Sequence, residues 1–278
     1  MAAAPDQRME MIASATKPVS SRSRWRIHLM LITGYILAVG LLGLGRRGTR
    51  AAVLTQTVGG LLSVCALELL VFGLIFGLAC AVSRATRDDL RLRWQGNLKP
   101  VLWGAGYSVA LRAALALLVM GIGVGLVVTR IMTPESLKDF VTSHRPGVET
   151  IIDVATLRNN PAYYWLTLTL VSFVVAGLRE ELWRSAFLAG MKAVWPQQFG
   201  SRAGQVVAVI ICAIIFGLGH LAMGSLAAGL AGLIGVGLGL IMIFHGSIWP
   251  AVIAHGLFDA TSMAMLPWVM AHTTKTLS

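Results

Sequence analysis

The sequence predicts an all-α, polytopic helical membrane protein of about seven transmembrane helices, with eight as the upper count. Three observations predict it. Of 278 residues, 56% are hydrophobic and only 13% charged, whereas soluble domains carry about 25% charged residues. The mean hydropathy is +0.75. Several windows exceed about 18 apolar residues, enough to cross a bilayer as helix, and none alternates as the strands of a transmembrane barrel do.

The first 23 residues are polar, small and basic, and read as a flexible tail rather than a cleavable signal. Arg22, Arg24 and Arg26 precede a first span at 27–44, which Arg46, Arg47 and Arg50 close. A second span at 58–82 contains Glu68. The basic stretch from Arg84 to Lys99, with Trp94, reads as an interfacial loop or short helix. A third span at 101–128 contains Arg112. Lone intramembrane charges are rare, so Glu68 and Arg112 are expected to pair.

Residues 130–160 form the longest polar connection, where Pro134 and Ser136 suggest a short helix start. Asn160-Pro161 opens a fourth span, since proline suits the first helical turn, and Trp195-Pro196 ends it. A fifth span covers 204–223, a sixth 225–244 and a seventh 248–270, with a short polar tail at 271–278. The sixth is glycine-rich, and Gly235 and Gly239 share a face suited to close helix packing. The chain thus divides into a tail (1–23), N-terminal spans and loops (24–160), a core carrying the polar site (161–270) and the final tail.

The formal net charge is +11. Most of the basic residues sit at span ends, which suits membrane lipid headgroups and topology. No soluble domain offers a basic face, so no nucleic-acid partner is expected. Five Lys and Arg residues in the N-terminal tail and five in the second connection, against three in the first, lean toward a cytoplasmic N-terminus. Cys65, Cys80 and Cys212 lie in apolar runs without metal spacing and read as small buried hydrophobes.

Chemistry concentrates in Arg179-Glu180-Glu181-Leu182-Trp183-Arg184, inside the fourth span. Each ionisable group at that depth costs about 2.5–3.5 kcal/mol on insertion scales, so it must face partners, water or a site. Glu180 and Glu181 are four and three residues before Arg184, and either can pair with it. The carboxylate left over is free to act on water, unless the cluster is an ion-pair knot between helices. His255 and Asp259 lie four apart on one face of the seventh span, and His220 lies near the end of the fifth. Such groups activate water for hydrolysis, with or without a metal. His220, His255, Asp259 and Glu180 are the candidate ligands for a divalent cation such as zinc. Neither a zincin helix nor a serine nucleophile elbow is present.

Taken in order, these stretches resemble the CPBP family of intramembrane endopeptidases, which includes the CAAX prenyl proteases and the bacteriocin-processing or immunity-type Abi proteins. That family's pattern is Glu-Glu-x-x-x-Arg, then Phe-x-x-x-His, then His-x-x-x-Asn or Asp. Phe216 to His220 matches the second motif, and His255 to Asp259 the third. In the first, a gapless match on Arg184 places Arg179 where the family has its first Glu, and Glu180 at the second. A one-residue π-bulge would restore the register. Otherwise Glu180 acts from its own position, or the chain is a non-proteolytic relative.

The resemblance implies an integral multi-pass hydrolase, in the plasma membrane if bacterial. It would cleave membrane-anchored or lipidated peptides with glutamate- and histidine-activated water, metal-assisted or not. Glu180, Glu181, Arg184, His220, His255 and Asp259 are the implied catalytic set. Two other classes stay open: a binding or immunity-type membrane protein without turnover, and an ion-coupled transporter, which the lack of an internal repeat disfavours.

Overall fold

Each long apolar run becomes a helix in the computed structural model, which describes residues 21–45, 55–94, 96–144, 146–148 and 151–275. Most of the two polar tails and the Arg46, Arg47 and Arg50 cluster lie outside the described residues. Helix α1 is Ser21–Gly45, α2 Val58–Ser83 and α3 Lys99–Val128. Two short helices, α4 (Pro134–Ser143) and α5 (Val154–Asn159), occupy the long connection. Helix α6 runs Pro161–Val194. It is followed by α7 (Arg202–Gly219), α8 (Ser225–His245) and α9 (Trp249–Lys275).

Local chemistry sets these ends. Thr57 Oγ1 accepts the Gly60 N–H at 3.1 Å to cap α2. Asn160 Oδ1 accepts from Tyr163 N at 3.1 Å, with Pro161 at the first helical position of α6. Such caps satisfy backbone donors that a helix start leaves orphaned. Asp153 caps α5 by accepting from Thr156 N at 2.7 Å, and Gln56 Nε2 donates to its second oxygen at 3.0 Å. These hydrogen bonds hold the Asp153 carboxyl below its ordinary range.

Among the described residues, six helices are long and apolar enough to cross a bilayer, namely α1, α2, α3, α6, α7 and α8. The chain is an integral multi-pass membrane protein. The expected seventh span is also a long helix, α9, of 27 residues, but its polar groups, His255, Asp259, Thr261 and Ser262, keep it out of that apolar set. The expected fifth span is shorter than 204–223. Helix α7 stops at Gly219, His220 caps it, and Leu221–Met223 form a 3-10 turn.

Helix α6 is not uniform. Thr167–Leu178 are π-helical, and Arg179–Val194 return to regular α-helix. The widened stretch therefore lies upstream of the charge cluster, and Glu180 and Glu181 keep ordinary helical register with Arg184. Here α6 crosses α9 closely. A Cβ at Gly177 would stand 3.0 Å from the Val252 carbonyl oxygen and 3.3 Å from Gly256 N, and one at Gly256 would strike the Phe173 ring. Small residues at this crossing let the two backbones approach. Gly239 plays a similar part between α8 and α7, where a Cβ would sit 2.6 Å from Val209 Cγ1.

Helix α9 packs between the π stretch of α6 and α3, α7 pairs with α8, and α1 joins α2 to α6. His28 on α1 is fully buried. Its Nε2 bonds Ala186 O at 3.1 Å, and its Nδ1 lies 3.0 Å from both Ala79 O and Ser83 Oγ, which ties α1 to α6 and α2. Trp183 Nε1 donates to Ile32 O at 2.9 Å beside it. The core centres on Trp183, Phe187, Phe216, Leu238 and Met242.

The basic connection after α2 is a loop of turns rather than a helix. Four successive carbonyls fix it. Ser185 Oγ donates to Leu90 O, Ile248 N to Arg91 O at 3.0 Å, Trp249 Nε1 to Leu92 O at 3.0 Å and Ser247 Oγ to Arg93 O at 3.0 Å. The loop thereby clamps α6 to the start of α9 below the polar cluster.

Candidate active site

Helix α6 brings two carboxylates to α9 from adjacent positions about 100° apart. Glu181 is fully buried, as is Arg184. Glu181 Oε1 accepts from Arg184 Nη1 one turn along and from His255 Nδ1 at 3.1 Å. Of the two pairings open from spacing, Arg184 therefore takes Glu181. Glu181 Oε2, Arg184 Nε and Arg184 Nη2 have no hydrogen-bond partner among the described residues. The Phe216 ring lies 5.0 Å from the guanidinium carbon and offers its π face to that charge.

Glu180 is the more accessible carboxylate, with 16% of its side chain exposed. Its Oε1 accepts from Arg179 Nη2 at 2.9 Å, and its Oε2 faces His255 Nε2 at 3.7 Å. Asp259 Oδ2 approaches the same Nε2 at 3.5 Å from one turn further along α9. A cavity beside Glu180 is lined by Tyr35, Ile36, Val39, Arg179, Trp183 and Phe216.

His255 is thus the hub. Its Nδ1–H is committed to Glu181, which fixes the tautomer and turns Nε2 toward Glu180 and Asp259. Nε2 thus stands between two carboxylates, 3.7 Å from Glu180 Oε2 and 3.5 Å from Asp259 Oδ2.

His220 stands apart from this hydrogen-bonded set. Its Nδ1–H donates to Phe216 O at 2.8 Å, and the Phe216 ring lies 4.5 Å from the His220 ring and 6.4 Å from that of His255. The structure therefore gathers Glu180, Glu181, Arg184, His255 and Asp259, and leaves His220, against the Phe216 ring, outside that hydrogen-bonded set.

Residues 161–261 match the family model described as Type II CAAX prenyl endopeptidase Rce1-like. No curated protein and no solved structure gives a significant match to the chain. The matched segment begins at the first residue of α6 and ends within α9, so it contains the six residues above. Tyr35 and Glu68, which also reach the site, lie on α1 and α2 outside it.

Glu68 corrects one sequence expectation. It does not pair with Arg112. Glu68 Oε2 accepts from Arg179 Nη1 at 3.1 Å, with Tyr35 Oη 3.4 Å from the same nitrogen. Helix α2 packs on α1 and α6, whereas α3 lies across α9, so the two charges face different neighbours. Arg112 instead donates to Ser108 Oγ at 2.9 Å and to Phe258 O and Thr261 Oγ1 on α9. Sequence spacing offered no signal for Tyr35. His28 carried one, as an ionisable side chain inside a span.

The candidate metal ligands are not drawn into one donor set. Among the described residues no three His, Cys, Asp or Glu side chains are grouped as a metal-ligand set. Glu181 occupies His255 Nδ1, Arg179 occupies Glu180 Oε1, and His220 Nδ1 is bonded to Phe216 O. This arrangement does not fit a bound divalent cation.

Proposed function

We propose that this protein is an intramembrane endopeptidase that hydrolyses membrane-anchored or lipidated peptides, with Glu180 as general base. The carrying observation is that Glu180 Oε2 and His255 Nε2 face each other at 3.7 Å beside the cavity that Glu180 lines. That gap is too long for a direct hydrogen bond and suits a bridging oxygen. A water there gives its proton to Glu180 as its oxygen attacks the scissile carbonyl. The protonated His255 Nε2 donates to the oxyanion that develops. Glu180 then returns the proton to the leaving amine as the C–N bond breaks.

The other residues serve this step. Glu181 keeps the His255 ring oriented, and Arg184 offsets the charge of Glu181. Asp259 holds the imidazole from one turn along α9. No step passes through a metal. The substrate class follows from a site inside the spans, which anchored chains reach most readily, and from the prenyl endopeptidase family matched by residues 161–261. The basic loop and tail favour a cytoplasmic N-terminus, and a bacterial host would place the protein in the plasma membrane.

A second reading is a non-proteolytic binding or immunity-type relative. The hold of Arg179 on Glu180 favours it, since a carboxylate with a guanidinium partner is a weaker base. One experiment separates the two. The purified protein in liposomes is given a fluorogenic peptide with a farnesylated CAAX-type C-terminus, and the same peptide without the lipid. The peptidase reading expects cleavage of the farnesylated form at a rate well above the unlipidated one. Saturable binding of an intact peptide would establish the second reading instead.

A further inference from the structure

Arg179 departs from the family pattern, and the structure assigns it a task. We propose that Arg179 and Glu68 are positioning residues that hold the Glu180 carboxylate with Oε1 on the guanidinium and Oε2 toward His255. The proposal rests on the reading of Glu180 as the base.

Adjacent residues on a helix do not face one another. Arg179 and Glu180 nonetheless bond at 2.9 Å, so the guanidinium is drawn toward Glu180 from outside α6. The neighbours that draw it are Glu68 on α2, at 3.1 Å from Nη1, and Tyr35 on α1, at 3.4 Å from the same nitrogen. Both fix Nη1, which leaves Nη2 for Glu180. The planar fork makes the two ends interdependent, as an ammonium would not. Only 14% of the Arg179 side chain is exposed, so these contacts are poorly screened.

Charge balance points the same way. Without Glu68, the whole guanidinium charge would fall on Glu180 and weaken it as a base. Shared between two carboxylates, one cation orients Glu180 and still leaves it negative. The Glu180 carboxylate faces Arg179 on its own helix, and His255 and Asp259 on α9. Glu68 from α2 and Tyr35 from α1 act on it through Arg179.

The test compares Arg179→Gln, Arg179→Lys, Glu68→Gln and the Arg179→Gln/Glu68→Gln double variant in liposomes, with rates normalised to folded protein. The substrate is the farnesylated fluorogenic peptide. We expect kcat to fall about 100-fold in Arg179→Gln and about tenfold in Glu68→Gln, at unchanged KM. The double variant should match Arg179→Gln, because both act through one contact. Arg179→Lys should recover only part of the loss. Wild-type kcat in both Gln variants would overturn the proposal and leave Arg179 as a staple between α2 and α6. A second readout needs no turnover. The carboxylate stretching band of Glu180, isolated by difference from Glu180→Gln, should shift in both variants. An unmoved band overturns the clamp, whereas a shifted band in a wild-type protein that cuts no peptide keeps the clamp and rejects the peptidase reading.

Discussion

His255 donates its Nδ1–H to Glu181 across 3.1 Å, and that one bond decides which nitrogen faces Glu180. Glu181 and Arg184 are both fully buried, and their ion pair stands behind the bond. The two neighbouring glutamates therefore have different duties. In the proposed mechanism Glu181 orients His255, whereas Glu180, at the cavity, activates water.

Stability measurements should separate them. Removing one partner of a buried ion pair strands the other, at a cost of about 3–5 kcal/mol. Glu181→Ala should therefore unfold at markedly lower temperature or denaturant than wild type. Glu180→Gln leaves Arg179 its bond to Glu68 and should lose about 1 kcal/mol. Equal destabilisation of the two variants, read from detergent-solubilised protein, would contradict this division.

The crossing of α6 and α9 should tolerate no added bulk. A methyl group at Gly256 must displace the Phe173 ring, and one at Gly177 meets the backbone of α9. Overpacking of this kind costs about 1–3 kcal/mol. Gly256→Ala should fold less stably and also lose turnover, because it pushes His255 away from Glu181. Full activity per folded molecule in Gly256→Ala would show that the spacing is not critical.

Much of this fold was legible because spans are long and apolar, and a few polar residues stand out against them. The run boundaries at 58, 128, 194 and 225 coincide with helix ends. The cluster of Glu180, Glu181 and Arg184, and the pair His255 and Asp259, announced themselves by intramembrane cost and helical spacing. Spacing within one helix does not say which helix lies next to it. That is why Glu68 was matched to Arg112 rather than Arg179, and why Tyr35 went unnoticed. The π-helical turns at Thr167–Leu178 were equally hidden, since TLTLVSFVVAGL reads as ordinary apolar helix.

Acid should loosen the polar connection through Asp153. Its folded carboxyl titrates below the ordinary value of about 4, so its stabilisation is complete above that value and is lost as pH falls through the lower folded one. Thermal unfolding of wild type between pH 5 and pH 3 should show this loss, and Asp153→Asn, which keeps the cap, should not. Asp153→Ala should cost about 1 kcal/mol at neutral pH. An identical pH dependence in wild type and Asp153→Asn would remove Asp153 from the account.

Chelation should leave cleavage intact, since no three donors are grouped as a metal set among the described residues. Turnover of the farnesylated peptide is expected within about twofold of control after treatment with EDTA or phenanthroline, well inside the 10²–10⁴-fold range of a lost acid–base step. Loss restored by zinc would replace the metal-free mechanism.

The most direct measurement is single-turnover cleavage of the farnesylated peptide by wild type and Glu180→Gln in the same liposomes, normalised to folded protein. With Glu180 as the base that activates water, the variant should be slower by about 1,000-fold, with peptide binding unchanged. A rate within tenfold of wild type would contradict the assignment of Glu180 and the water-activation account built on it.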